Sequence, residues 1–407
     1  MCGLLFLVKG IKQNLPIKIA FFTIMAGNFS GAGKNIFRLL NRLNPKILKP
    51  VLVGNTENEL SQHVKQINLE VFVVPYPSAL DVYDKKLLSL RFVDIFGVFS
   101  GLWKYNISII NFYKRIKPQV VWADNLRTFF FLYVASKLCG CKVILNIMSE
   151  PQGKVAWFLH RLGLILADVI NLEYNKQGRK MFGSMSALQF FQKKLVTLYS
   201  GVTDFEQSFG NDIRNELDLL ANDILVLMAA NIVPGKGQID LIKSIEMLID
   251  DYPRLILLLA GQPTKFHPNS LSYDYSLKQY VNENNLNNNV YFLGWRSDMP
   301  DLLNSIDIYA STSYSESLPD VLRDAMAAGK PIVASNVGGT FELINGKNGF
   351  MFEPGDIDSL AKYIKQLIQD SKLRKSMGQE GKLIINQRFS TKVYARNFEE
   401  MVLYLYK

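Results

Sequence analysis

The chain writes one pattern twice. From Ile17 a run of apolar, β-branched and aromatic residues (IKIAFFTIM, Ile17–Met25) meets a glycine-rich turn, Ala26–Gly33, and a helical stretch follows from about Lys34. At Ile224 the pattern restarts: ILVLMAA, then a turn holding Pro234, Gly235 and Gly237, then an amphipathic stretch from Ile239 to Ile249. Short apolar runs bounded by turn residues, alternating with helical periodicity, mark parallel strands buried on both faces and joined by crossover helices. Further strand runs at Leu48–Gly54, Leu69–Pro75, Gln119–Ala123, Lys142–Ile147 and Asp168–Leu172 extend the first alternation. Leu255–Gly261, Val290–Arg296 (strand, then turn) and Ile306–Ala310 extend the second. The expectation is an α/β chain with two doubly wound parallel sheets. Its 407 residues suit two domains of about 200 each. The expected boundaries are 1–204 for the first domain, with 1–16 frayed, a polar linker at 205–223, and 224–390 for the second. Residues 391–407 are expected to form a C-terminal helix packing back on the first domain.

Composition narrows the classes. With 48% apolar residues the chain has ample material for cores. Its apolar runs stay short of the roughly 18–20 residues that a spanning helix needs, and residues 2–8 lack the basic start and small-residue cleavage site of a signal peptide. Three cysteines, an odd number without a framework, fit a reducing cytoplasm. Cys139-Gly140-Cys141 has no second Cys/His pair to make a zinc site, and His63, His160 and His267 stand far apart. The net charge of +10 suits an anionic substrate, an anionic membrane or nucleic acid. The absence of a zinc finger, an RRM signature or a basic heptad region argues against nucleic acid. Residues 85–117 interleave Leu, Phe, Ile, Trp and Tyr with Lys85, Lys86, Arg91, Lys104, Lys114, Arg115 and Lys117. Such a stretch suits either the headgroup plane of an anionic membrane or an ordinary pair of core-packing helices with snorkelling bases.

Two stretches carry candidate chemistry. The turn Ala26–Gly33 is a strand–glycine–helix arrangement, in which backbone N–H groups approach an anion. It is not a P-loop, because Asn28 and Asn35 occupy the positions of an essential Gly and Ser/Thr, and Ile36 stands where a dinucleotide fingerprint needs a small residue. The second stretch is Ser311–Lys330. Glu316 lies in a loop, Pro319 suits a first helical turn, and Val321, Leu322, Ala325 and Met326 give an apolar helical face. Asp324 lies inside the helix, and Gly329 before Lys330-Pro331 marks its exit. Two acids eight residues apart read, by themselves, as solvated surface.

Taken together, Ser315-Glu-Ser-Leu-Pro-Asp-Val-Leu322, then Asp324-Ala-Met-Ala-Ala-Gly-Lys-Pro331, a strand and Val337-Gly338-Gly339 resemble the retaining, group 1 glycosyltransferases of family four. The resemblance is specific over 224–395 and a matter of pattern over 17–204. It implies the GT-B fold, two Rossmann-like domains facing a central cleft. It also implies transfer of a sugar from a nucleotide-sugar donor, UDP- or GDP-linked, to a growing glycan or lipid-linked acceptor at the cytoplasmic side of a membrane. Carried over residue by residue, Glu316 meets the donor sugar and Asp324 holds the ribose. Lys236 neutralises the departing diphosphate, and Asn231, Gly31, Gly33, Arg296, Leu318 and Pro319 line the donor.

The chain departs from the family at several positions. Asp324 stands for the usual Glu, Asn231 for the commoner Arg, Ser200 for the usual Asn of the turn closing the first domain, and no His follows Ile147-Met148-Ser149-Glu150. Asp356-Ile357-Asp358 has the look of a metal motif but opens a helix, where Asp caps. No metal or other cofactor is therefore expected. The departures leave open a degenerate relative that binds nucleotide sugar or a partner enzyme without turnover, and a GT-B phosphorylase or epimerase is a third reading.

Overall fold

The computed structural model describes residues 16–23, 31–77, 92–147, 154–182, 191–202, 210, 212–264 and 267–406. The chain divides into two compact units, Met1–Gly201 with Thr391–Lys407, and Val202–Ser390.

The first unit holds seven parallel strands: β1 (Ile17–Thr23), β2 (Leu48–Gly54), β3 (Glu70–Val73), β4 (Val120–Ala123), β5 (Lys142–Ile147), β6 (Val169–Leu172) and β7 (Leu195–Thr197). Their order is β3-β2-β1-β4-β5-β6-β7. Side chains alternate between the two faces of a strand, and the cores follow that period. Ile17, Ile19 and Phe21 of β1 face one way, into a core completed by the helix Gly31–Leu40, the helix Glu59–Gln66 and Tyr394, Phe398 and Val402 of the helix Thr391–Tyr404. Ala20 and Phe22 face the other way, under the helix Phe92–Ile116. Val121 and Ala123 of β4 share that second face, so the helices Leu126–Leu138 and Lys154–Leu166 lie on it too.

The basic, aromatic stretch expected at 85–117 is, over its described part, a single helix of 25 residues. Its inner side (Tyr105, Ile109, Phe112, Tyr113, Ile116) is core. The helix expected from Lys34 begins at Gly31. First-turn N–H groups need no intrahelical acceptor, so glycines that read as turn are accommodated there. The preceding residues 24–30 and Ser149-Glu150 lie outside the described residues.

The second unit holds β8 (Ile224–Ala229), β9 (Leu255–Ala260), β10 (Val290–Gly294), β11 (Ile308–Ser311), β12 (Ile332–Ser335) and β13 (Gly349–Phe352), all parallel, in the order β10-β9-β8-β11-β12-β13. Its core gathers Val226 and Met228 of β8, Leu257 and Leu259 of β9, and the inner sides of the helices Gln238–Ile249 and Ile357–Gln369. Asp356 accepts a hydrogen bond from Ser359 N at 3.0 Å and caps the latter helix. Among the described residues no group of three or more His, Cys, Asp or Glu is placed to hold a metal ion. Among them, too, no helix is long and apolar enough to cross a membrane.

Candidate active site

In the second sheet the winding reverses between β8 and β11. β9 and β10 lie on one side of β8, and β11, β12 and β13 on the other. Loops leaving the carboxyl ends of these two neighbours run apart, and in open α/β sheets that divergence makes the ligand crevice. Residues 230–237 leave β8 and residues 312–319 leave β11, so both sequence candidates stand at this point.

Backbone contacts stitch the two loops together. The loop after β8 ends in a tight 3-10 turn, Pro234–Lys236, and Gly237 turns left-handed (φ 69°) to start the helix Gln238–Ile249. A Cβ on Gly237 would stand 2.3 Å from Thr312 O, so only glycine fits. The buried Thr312 hydroxyl faces the carbonyls of Lys236 and Gly237 at 3.0 and 2.7 Å, and Tyr314 N donates to Gly235 O at 2.9 Å. Held this way, Lys236 Nζ donates to Glu316 Oε1 at 2.5 Å, and Ser313 Oγ donates to the same oxygen at 2.8 Å. The two charged side chains keep 27% and 18% of their surface open, so the pair is shielded but reachable.

A third loop, after β12, presses on the same carboxylate's backbone. Gly338 (φ 52°) leaves room for Glu316 O where a Cβ would lie only 1.8 Å away, and Gly339 N donates to Ser317 O at 2.6 Å. Ser335 Oγ donates to Ser313 O at 2.6 Å. Beside the pair, Tyr314 donates to the buried Asp240 at 2.7 Å, and that hydrogen bond pushes its phenol up to about 12, keeping it a donor at neutral pH.

The helix carrying the second carboxylate runs Asp320–Ala327, with Pro319 at its N-cap, one position ahead of the expected first turn. Leu318, Leu322, Ala325 and Met326 are buried, and Gly329 (φ 74°) turns the chain out. Asp324 is half-buried on this helix. Burial raises the phenol of Tyr309 on β11, and the negative charges of Glu316 and Asp324 add to the shift, so both carboxylates lie within electrostatic reach of one hydroxyl. Asn231 stands exposed at the start of the loop after β8, its carbonyl accepting from Gln238 Nε2 at 2.9 Å.

Arg296 follows β10 and is clamped by carboxylates. It pairs with Glu216 at 2.6 and 2.8 Å and with Asp298 at 2.8 and 2.6 Å. Its guanidinium is thereby held still more firmly charged, Glu216 contributing most, while both acids are pulled below their usual range. Four of those contacts go to protein, so the structure uses Arg296 first as a tie between the helix Ile213–Glu216 and the turn after β10. Trp295 beside it is exposed. Gly31 and Gly33 belong to the first unit, in the opening turn of its first helix.

Residues 210–383, within the second unit, match the family described as Glycosyl transferases group 1. This unit is a group 1 glycosyl transferase domain. Among curated relatives, the capsular polysaccharide biosynthesis glycosyltransferase CapM of Staphylococcus aureus is 26% identical over 222 residues, 54% of this chain and 53% of that protein. The Escherichia coli UDP-Gal:alpha-D-GlcNAc-diphosphoundecaprenol alpha-1,3-galactosyltransferase is 26% identical over 160 residues, 39% and 40% of the two chains. The chain thus spans about half the length, or less, of the curated relatives it matches. Among solved structures, Anabaena Alr3699/HepE in complex with UDP superposes with a TM-score of 0.77 at 20% identity, covering 95% of this chain and 100% of that one. That likeness shows the fold: two parallel α/β sheets in the GT-B manner.

The group 1 domain also positions residues that sequence reading passed over. Thr312, Ser313 and Asp240 fix the loop that carries Glu316, while Gly237 and Gly338, already noted in the sequence as turn and motif residues, admit its backbone. Ser313, three residues before Glu316, was the one local signal. An ammonium and a carboxylate held in contact, with hydroxyls around them, suit recognition of a ligand bearing both anionic and hydroxyl groups.

Proposed function

We propose that the chain is a retaining, metal-independent glycosyltransferase. It moves a sugar, a hexose in the reading we favour, from a UDP- or GDP-linked donor to a growing glycan or lipid-linked acceptor in surface polysaccharide biosynthesis. The observation that carries this reading is the Lys236–Glu316 contact at the switch point of the group 1 domain. Cleaving a nucleotide sugar leaves a diphosphate and an oxocarbenium-like carbon, and charge developing on the diphosphate needs a preorganised cation. Lys236 supplies it. Glu316, steadied by Ser313, accepts from the sugar hydroxyls, and Asp324 accepts from the ribose. Leu318 and Pro319 line the donor, Asn231 donates a neutral hydrogen bond where a cation is commoner, and Arg296 borders the base. Gly31 and Gly33 offer first-turn N–H groups as an anion site of the first unit.

The names of relatives support the acceptor class: one acts on a diphosphoundecaprenol-linked sugar, another in capsular polysaccharide biosynthesis. A solved neighbour is described with UDP-glucose, which supports a UDP-linked donor. In this reading the protein works at the cytoplasmic face, peripheral on an anionic membrane through the region 85–117.

The test is thermal stability against UDP, GDP, ADP and CMP, each alone, followed by product analysis with the matching nucleotide sugar. A nucleotide at about a hundred times its Kd stabilises by roughly 2.7 kcal/mol. A shift with UDP or GDP that disappears in a Glu316→Ala/Asp324→Ala double variant is expected, together with a transferred sugar of retained anomeric configuration. No shift with any nucleotide, or inverted product, refutes the reading.

A further inference from the structure

Tyr314 stands two residues before Glu316 on the loop after β11, and 48% of its surface is open. A ring that exposed adds little to a core, so its polar groups account for its place. They reach both sides of Lys236. The Tyr314 N–H donates to Gly235 O at 2.9 Å, just before the lysine, and its hydroxyl donates to Asp240 Oδ2 at 2.7 Å, just beyond the turn that the lysine ends. The stretch between these anchors is bonded within itself. Lys236 N donates to Val233 O at 2.9 Å, Gly237 N to Pro234 O at 3.1 Å and Asp240 N to Gly237 O at 3.0 Å.

The surroundings press on the same point. Asp240 is 7% exposed, in the first turn of the helix Gln238–Ile249. Next to it, Ile239 N donates to the hydroxyl of Tyr273, which belongs to the helix Ser270–Glu283, at 3.2 Å. A fourth loop, after β13, closes over Tyr314: a Cβ on Gly355 (φ 84°) would stand 3.3 Å from the Tyr314 hydroxyl. That loop is tied to the one after β12, since Asn336 Nδ2 donates to Glu353 Oε1 at 3.0 Å.

A lysine ammonium rides on a flexible four-carbon stem, so where it can reach is set by its backbone. At rest the Lys236–Glu316 contact helps to hold the two loops in register. Once a ligand engages the ammonium and the carboxylate, that contact is shared out and holds less. The two bonds of Tyr314 use neither group, so they persist when both are occupied. Preorganisation requires supports of this kind, which are not spent on the ligand.

We propose that Tyr314 is a positioning residue: bonded on both sides of Lys236 and two residues from Glu316, it keeps the cation and the carboxylate in register while the donor engages both. It acts through Lys236 and needs no contact with the donor. The kinetic consequence rests on the glycosyltransferase reading, whereas the effect on the turn does not. The rival is a plainly structural role, in which the hydroxyl only satisfies the buried carboxylate of Asp240.

The experiment uses Tyr314→Phe, which keeps the ring and the backbone bond and removes the hydroxyl alone. Its first readout is amide hydrogen exchange of the full chain without any nucleotide. Residues 236–240 are expected to exchange about tenfold faster, the effect of one lost hydrogen bond to a carboxylate, while peptides covering β9 and β10 keep wild-type rates and show that the variant is folded. The second readout is transfer from the nucleotide sugar, in wild type and in a Lys236→Met background. In wild type the loss of the hydroxyl should lower kcat on the order of tenfold, with the donor KM within about threefold. In the Lys236→Met background it should change kcat less than about twofold, because the group it positions is gone. Unchanged exchange over 236–240 overturns the proposal, whether or not sugar is transferred. Equal loss of kcat in both backgrounds overturns it in favour of the structural role. Faster exchange in a protein whose wild type transfers no sugar sinks the glycosyltransferase reading and supports the hold of Tyr314 on the turn.

Discussion

Replacing Lys236 by Ala removes an ammonium that serves two states of the protein differently. In the resting state its Nζ lies 2.5 Å from Glu316 Oε1, and the two side chains are 27% and 18% open. A charge-assisted hydrogen bond of this kind contributes about 1.5–3 kcal/mol, reduced by the water that reaches it. Glu316 keeps the Ser313 hydroxyl at 2.8 Å when the lysine goes, so the folding cost should be about 1–2 kcal/mol, a fall in Tm of roughly 2–8 °C for a unit of this size. In the proposed transition state the same ammonium meets charge growing on the diphosphate. Loss of one preorganised donor there costs about 2.7–4 kcal/mol, or roughly a hundred- to a thousandfold in kcat. The assay is single-turnover and steady-state transfer from the nucleotide sugar that the stability panel identifies, with kcat and KM separated. Lys236→Met, which keeps most of the aliphatic stem, should match Lys236→Ala if the charge is what matters. A kcat within about threefold of wild type in a folded Lys236→Ala protein would refute the reasoning.

Two further outcomes are expected. Gly338→Ala and Gly346→Ala both place a side chain at positive φ, costing about 1 kcal/mol each. Only the Cβ at 338 would strike the carbonyl of Glu316, whereas that at 346 meets open space, so Gly338→Ala alone should shift Glu316 and lose on the order of a hundredfold in kcat. Equal kinetics for the two variants would show that the loop after β12 does not position Glu316. Asp324→Glu lengthens the carboxylate by about one bond, and if the shorter acid underreaches the ribose, it should lower the Kd for the nucleotide about tenfold, measured by calorimetry. An unchanged Kd would mean that the backbone already compensates.

The strands were the most legible part of the chain. Leu48–Gly54 and Lys142–Ile147 were readable to the residue because each is an apolar run cut off by a turn, and the elements between them follow from period. The exit at Gly329 was legible for a local reason too, since a left-handed residue ahead of Lys-Pro ends a helix. What escaped was non-local or two-faced. The helix Phe92–Ile116 is apolar on its core side, and its outer side sets Phe99, Trp103 and Ile107 beside a polar row of Ser100, Lys104, Ser108 and Asn111, so its stretch read equally as membrane-surface or core-packing helix. Arg296 was expected to border the donor. Asp298, two residues on, was a visible partner, but Glu216 comes from 80 residues upstream, and nothing periodic links the two. The Lys236–Glu316 contact spans the same separation; the resemblance gave the two residues separate roles and no contact between them.

That contact depends on backbone more than on the charged residues themselves. Thr312 faces two carbonyls of the turn that ends in Lys236, Tyr314 N bonds Gly235, and Gly339 N bonds Ser317. Gly237 and Gly338 are the positions at which these chains approach too closely for any side chain. Three loops from β8, β11 and β12 are therefore fixed to one another before a ligand arrives, which is the condition under which a dipole or charge acts without reorganising at the moment of reaction. Asn231 fits the same frame. With a neutral side chain there, Lys236 and Glu316 nearly cancel at rest, so the pocket holds its cation in reserve on a carboxylate. A donor that brings both hydroxyls and a diphosphate can satisfy Glu316 and Lys236 together, whereas inorganic phosphate can only pull the pair apart and leave Glu316 short of its strongest partner. In the proposed reading, selectivity for the nucleotide sugar over inorganic phosphate follows from that coupling.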